Sequence, residues 1–228
     1  MKSIFNGKTK NQYQKKSYAQ SGEDLIIDFI FHELKNPLPT YIDIGAHHPF
    51  YLNNTAIFYE RGGQGINIEP DPTLFMEFTW ERKRDTNLNI GISGKEDILD
   101  FYQISTPTLN TFSYEEAVAY NKQGDFKIEK VHKIPVDTVN NILKKYNNNI
   151  FPDFLSLDAE GIDEIVLQSI NYQENFPKVI CVETISFSTT GRCRKNNDII
   201  SFLIEKGYLL YADTYINSIF VKKDIWER

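Results

Sequence analysis

At 228 residues, 41% of them hydrophobic and 25% charged, the chain has the make-up of a globular protein and is long enough for one domain with a well-buried core. A net charge of -6 disfavours a broad nucleic-acid or anionic-membrane surface, no apolar run approaches the ~20 residues that span a bilayer, and the polar start is not a secretory leader. Two cysteines, Cys181 and Cys193, make neither a disulfide framework nor a zinc site and suit a reducing, cytoplasmic setting.

Residues 1–16 are polar, basic and aperiodic and are expected to be a flexible arm, with residues 17–228 as one domain. Ser21 can cap a helix whose first turn holds Glu23 and Asp24 and whose apolar residues Leu25, Ile26, Phe29, Ile30 and Leu34 recur at helical spacing. Asn36 and Pro37 stop it. A strand follows at 41–44, a helix within 53–61 closed by Gly62 and Gly63, a strand at 65–68 and a helix at 72–82. Because the glycine cluster precedes a strand, it reads as a helix stop rather than a phosphate loop. Strands are expected at 86–90, 98–103 and 127–136, and the polar, aromatic stretch 105–125 reads as an insertion over a ligand. Then come a helix at 139–146, a buried strand at 154–157, a helix at 163–169, a buried strand at 179–182, a polar loop at 185–195 and a helix at 197–206. Strands at 208–212 and 218–221 close as a hairpin. Strands alternating with helices before a terminal hairpin indicate an α/β fold with a mostly parallel sheet and one antiparallel strand.

Four of these strands end in an acid: Asp43, Glu69, Asp158 and Glu183. In an open parallel sheet the ligand lies beyond those ends. Gly45 lets the backbone leave the first strand in a tight turn. Asp43 either fixes that turn or meets a cofactor ammonium group. Glu69 stands about two dozen positions beyond Gly45, where a carboxylate accepts hydrogen bonds from both ribose hydroxyls. A dinucleotide pyrophosphate needs further spaced glycines, but His47, His48 and Pro49 fill this loop. An adenosine-bearing cofactor without phosphates, S-adenosylmethionine, fits better.

The segments SYAQSGEDLII (17–27), YIDIGAHHPF (41–50), NNTAIFYERGGQGINIEPDP (53–72), TLNTFS (108–113), FLSLDAEGID (154–163) and KVICVET (178–184) occur in this order. In this the chain resembles the FkbM-type methyltransferases over nearly its whole length. The resemblance implies a class I methyltransferase (Rossmann-like) fold, with seven strands, one of them antiparallel, between helices on both faces. It also implies O-methylation, commonly of carbohydrate or polyketide hydroxyls. Carried over by position, Asp43, Gly45 and Ala46 lie in the glycine turn, Glu69 is the ribose acid, and Gly91 and Ile92 fall beside the adenine. Gln20 and Glu23 match a family segment and are grouped with the cofactor residues. The family's first turn often has Asn and Gly where His47, His48 and Pro49 stand, which leaves the contacts to the methionine end open.

A hydroxyl acceptor needs a base or a metal. Base candidates are Asp158, Glu160, Glu183 and His48, with His47 on the same loop as base or substrate contact. Asp158, Glu160 and Glu183 also form an oxygen-rich set suited to magnesium or a similar hard cation. Arg192 and Arg194, with Lys195, are placed to hold the diphosphate of a nucleotide-activated sugar. The expected partner is thus a small-molecule or glycan substrate, with capsule or lipopolysaccharide precursors in view, and not nucleic acid. Rival readings are a methyltransferase for a non-sugar molecule, a non-catalytic cofactor-fold protein that binds a partner or glycan, and a nicotinamide oxidoreductase.

Overall fold

The computed structural model describes residues 13–159, 162–186 and 194–228. In chain order the elements are α1 (Glu23–Glu33), β1 (Tyr41–Ile44), α2 (Ala56–Glu60), β2 (Gly65–Ile68), α3 (Pro72–Glu81), β3 (Thr86–Leu88), β4 (Gly91–Ile92), β5 (Asp97–Ile104), α4 (Tyr114–Gln123) and β6 (Ile128–Asp137). There follow α5 (Val139–Tyr146), β7 (Phe154–Leu157), α6 (Asp163–Gln168), β8 (Val179–Glu183), β9 (Ile185–Ser186), β10 (Arg194–Lys195), α7 (Asn197–Glu205), β11 (Tyr208–Asp213), β12 (Asn217–Lys222) and α8 (Lys223–Trp226).

Seven strands form the main sheet in the order β3-β2-β1-β7-β8-β12-β11. The β1, β2, β3, β7 and β8 pairings are parallel, and β12 runs antiparallel to both neighbours. This is the expected α/β architecture of a Rossmann-like methyltransferase. Order reverses around β1, whose Tyr41 is in register with Gly65 on one side and Phe154 on the other. The reversal opens a crevice at the carboxyl ends of these strands.

Both faces of the sheet are covered, so β1 and β7 are buried along their lengths and, Asp43 and Ser156 apart, apolar. One face takes Ile42, Leu155 and Ile180 against Val139, Leu143, Val166 and Leu203. The other takes Tyr41, Phe154 and Cys181 against Ile27, Ile30, Ile57 and Phe58. Phe31, Phe58 and Phe154 meet edge to face, with centroids 5.9, 6.2 and 6.1 Å apart. Truncating one of these rings to alanine costs about 3–5 kcal/mol.

Three local outcomes differ from the sequence reading. Helix α1 starts from Gly22 in a left-handed turn (φ 87°) with no side-chain cap from Ser21; instead the Ser21 N–H donates to Glu23 at 2.7 Å. The stretch expected only as an insertion contains α4, capped by the Ser113 hydroxyl on the Glu116 N–H and ended by left-handed Gly124. With β5 and β6 it builds a small second core of Ile104, Leu109, Ala117 and Tyr120. The polar loop after β8 carries the short antiparallel ladder β9–β10 at its two ends.

Candidate active site

A cavity of about 320 Å³ lies at the carboxyl ends of β1, β2, β7 and β8. Its floor is the turn after β1. Gly45 adopts φ 75°, and a Cβ there would lie 1.7 Å from the Asp158 carbonyl oxygen, so the position needs glycine for conformation and for room. The N–H groups of Gly45 and Ala46 both donate to the Ile68 carbonyl, at 3.0 and 3.1 Å. His47 is left-handed at φ 55°, a conformation histidine tolerates better than most residues. That twist aims its N–H at Glu69 Oε2, 2.7 Å away.

Glu69 is thereby fixed at the end of β2, its Oε1 taking the Asp71 N–H at 2.8 Å. Each oxygen keeps a further lone pair, and the side chain lines the cavity. Burial pushes this carboxyl up to about 8, against the pull of the two N–H groups. Asp43 also borders the cavity, but it accepts Asn53 Nδ2 at 3.0 Å and Thr55 Oγ1 at 2.9 Å. It therefore ties the turn to the start of α2. Burial raises its pKa, with Ser156, Thr55 and Asn53 opposing. Behind it the wholly buried Arg82 donates to the Pro49 carbonyl at 3.0 Å and to Thr55 Oγ1 at 3.1 Å.

One end of the cavity is apolar, walled by Ile68, Leu74, Gly91, Ile92, Phe101 and Phe112. A Cβ on Gly91 would sit 2.4 Å from the Phe112 ring. Residues 107–112 pass over this end. Asn110 latches them, accepting the Ile104 N–H at 2.7 Å and donating to Asp71 Oδ2 at 2.8 Å.

The other end is polar. Asp158 follows β7, Glu183 ends β8, and the two carboxyls hydrogen-bond to each other. Asp158 opens onto the cavity, yet protein crowds it. That desolvation, with Asp163 nearby, pushes it up to about 6, while the bond to Glu183 pulls the other way. Gln20, Asn54, Ser156 and Asn217 complete this end.

Gln20, Asp43, Gly45, Ala46, His47, Glu69, Gly91, Ile92, Asp158 and Glu183 thus border one cavity. Burial and the neighbouring His48 lower the pKa of His47, so its ring stays neutral. Glu23 is set back from the cavity, buried and bound to Thr214 Oγ1 at 2.7 Å and Asn217 Nδ2 at 3.2 Å. His48 also lies off the cavity. Its Nδ1 accepts the N–H groups of Phe50 and Tyr51 at 3.0 and 2.9 Å, and its Nε2 stands 2.9 Å from Glu77. With Nδ1 occupied and Nε2 facing a carboxylate, the ring has no lone pair free to act as a base. Glu160 and Arg192 lie outside the described residues, as does the Arg194 side chain, while Lys195 is held by Asp213 and the Tyr215 carbonyl at 2.7 and 2.9 Å. Among the described residues no cluster of three or more His, Cys, Asp or Glu side chains could hold a metal ion, so magnesium finds no support there.

The sequence reading missed Asn54, Asn110, Ser156 and Asn217. Asn217 carries no local signal, because only strand pairing sets it opposite Glu183. Asn110 sits within the TLNTFS segment, between Leu109 and Thr111, and nothing in that spacing marks it apart from its polar neighbours.

A family model described as the methyltransferase FkbM domain matches residues 43–210. No curated protein matches the chain.

Proposed function

We propose, from the premise that the chain belongs to the FkbM methyltransferase family, that it transfers a methyl group from S-adenosylmethionine to a hydroxyl of a sugar. The observation that carries this reading is that Glu69 and the Asp158–Glu183 pair border one cavity.

The residues present fit the methyl donor. The slot between Gly91, Ile92 and Phe112 accepts a flat, apolar-faced ring such as adenine. Glu69 retains lone pairs for the ribose hydroxyls, and its raised proton affinity is what a buried carboxylate shows before such donors arrive. The acids at the far end suit a cationic sulfonium and ammonium. The donor supplies an electrophilic methyl group on sulfur.

The chain's own work is then alignment and proton removal. The turn Gly45–His47 is rigidly tied to β2, so the donor site is organised before anything binds. Asp158 is the proposed base: with a pKa of about 6 it is ionised at neutral pH yet basic enough to take a hydroxyl proton. Glu183, hydrogen-bonded to it, orients it. Glu160, two positions after Asp158 in sequence, is a further candidate. Residues 107–112, which line the cavity, would shield the donor from water. Arg192 and Arg194 remain candidates for a diphosphate on the acceptor.

Among the described residues no helix is long and apolar enough to cross a membrane, and a cytoplasmic glycan-precursor acceptor is part of the same reading. Titration of the chain with S-adenosylmethionine and its demethylated product, followed by labelled-methyl transfer to a panel of sugars, tests it. Binding of the donor and labelling of a hydroxyl are expected. No binding of either compound would sink the enzyme reading in favour of a non-catalytic cofactor-fold protein.

A further inference from the structure

The segment before α1 borders the cavity through Gln20 and is held at both ends. On one side the Asn53 N–H donates to the Tyr18 carbonyl at 3.0 Å, and the Tyr18 ring packs on Phe50 with centroids 5.9 Å apart. Both partners belong to the loop after β1. On the other side Glu23 accepts from Thr214 and Asn217 at the β11–β12 turn. Between these anchors the segment is braced internally: Asp24 takes the Ser17 hydroxyl at 2.6 Å and the Tyr18 N–H at 2.7 Å.

Strand order says what lies beneath. Between β1 and β12 stand only β7 and β8, the two strands that deliver Asp158 and Glu183. An arch tied to the β1 loop and to the start of β12 therefore spans the carboxylate pair. Gln20 sits on this arch, exposed, lining the cavity, with no hydrogen bond to another described residue. A braced loop that presents an unpaired amide toward the reacting end is arranged to meet a ligand rather than to hold the fold.

The charge of that end narrows the ligand. The ionisable side chains lining the cavity are Asp43, Glu69, Asp158, Glu183 and His47, and no Lys or Arg lines it among the described residues. Lys195, on β10, is engaged with Asp213 and the Tyr215 carbonyl. A carboxylate or phosphate placed directly beside the reacting oxygen would face these acids with no lining Lys or Arg among the described residues to offset them. Amides and hydroxyls, by contrast, match hydroxyl groups in both donor and acceptor sense.

We propose that the arch 17–24 completes the acceptor subsite and that Gln20 is a specificity-determining residue that selects acceptors uncharged around the reacting hydroxyl. This rests on the methyltransferase reading above and moves Gln20 from the donor to the acceptor side.

The test uses the full chain saturated with the demethylated donor product. Ligand-observed NMR compares two probe series, methyl hexopyranosides and the corresponding hexuronic acids, on the native chain and on Gln20→Ala. Tighter capture of the neutral series, by about tenfold, is expected. Gln20→Ala should weaken that capture by a similar factor while its affinity for the demethylated product stays unchanged. Equal or tighter capture of the uronic acids would overturn the proposal. So would a Gln20→Ala chain that captures pyranosides like the native one, or one that loses the product. A native chain that binds no product removes both readings, whereas product binding with equal capture of the two series removes this one alone.

Discussion

The guanidinium of Arg82 and the carboxylate of Asp85 meet at 2.9 Å with neither side chain exposed to solvent. Asp85 also accepts the Tyr41 hydroxyl at 2.8 Å, the Gly65 N–H at 2.8 Å and Asn67 Nδ2 at 2.9 Å. Arg82 reaches the other way, to the Pro49 carbonyl and Thr55. One buried pair thus joins the end of α3 to the starts of β1 and β2 and to the loop that shapes the donor site. Burial keeps the Tyr41 phenol protonated, as its donor role requires.

Removing one partner leaves a charge buried without its counterion. Arg82→Met is expected to lower stability by about 3–5 kcal/mol, read as a fall in urea midpoint. Binding of the methyl donor should weaken with it, because Pro49 and Thr55 lose their anchor. A midpoint within error of the native chain would show that the pair is dispensable.

Glu69 gives the donor site a pH dependence of definite sign. Its carboxyl titrates at about 8 in the free protein, well above the usual carboxylate range, whereas ribose hydroxyls bind best to the ionised form. Donor affinity should therefore rise with pH until about 8, by at most about tenfold per pH unit, and level off above. For the free chain the linkage runs the other way. A group protonated more readily when folded favours folding at low pH, and that contribution is lost as pH rises through about 8. Calorimetry across this range checks the first statement. Glu69→Gln should bind weakly and without the slope.

Asp158→Asn should retain donor binding and lose methyl transfer by a factor of about 100 or more. In the native chain the rate should rise through about pH 6 and then plateau, since the base must be ionised. Single-turnover transfer measured from acid to neutral pH reads both. An unchanged rate in the variant would pass the role of base to Glu183 or Glu160.

For His48 the expected loss is structural. His48→Ala deprives the N–H groups of Phe50 and Tyr51 of their acceptor and should cost about 1 kcal/mol. The pH profile of transfer should not move. A shift in that profile would return the ring to the chemistry.

Most of the fold could be read from the chain because its signals are local. Apolar runs end in acids at β1, β2, β7 and β8, and Gly62 and Gly207 stop helices with positive φ at 98° and 81°. Helix α4 was missed although Ser113 and Glu116 stand at capping spacing. Its few apolar positions, Ala117 and Tyr120, face a small satellite core rather than the main sheet, so its periodicity is faint. The two histidines were ambiguous for a different reason. Nothing in the letters His47-His48 says which ring faces the cavity. That is settled by the left-handed backbone at His47, which turns its own N–H to Glu69 and sets the next ring against Glu77. Glu23 was equally unreadable, because its partners Thr214 and Asn217 lie about 190 positions away, at separations of 191 and 194.

Those separations bear on how the protein is made. Strand β1 has to wait for β7, with pairing across the Thr40–Asp153 contact closing 113 positions, and the mouth of the cavity waits for residue 217. Such long-range closure slows folding. During synthesis the N-terminal third, though it already carries the glycine turn and Glu69, has no partner strand for β1 on one side and no anchor for Glu23. Ligand capture therefore becomes available only after Asn217 has emerged, and it can serve as a reporter that these long-range closures have formed.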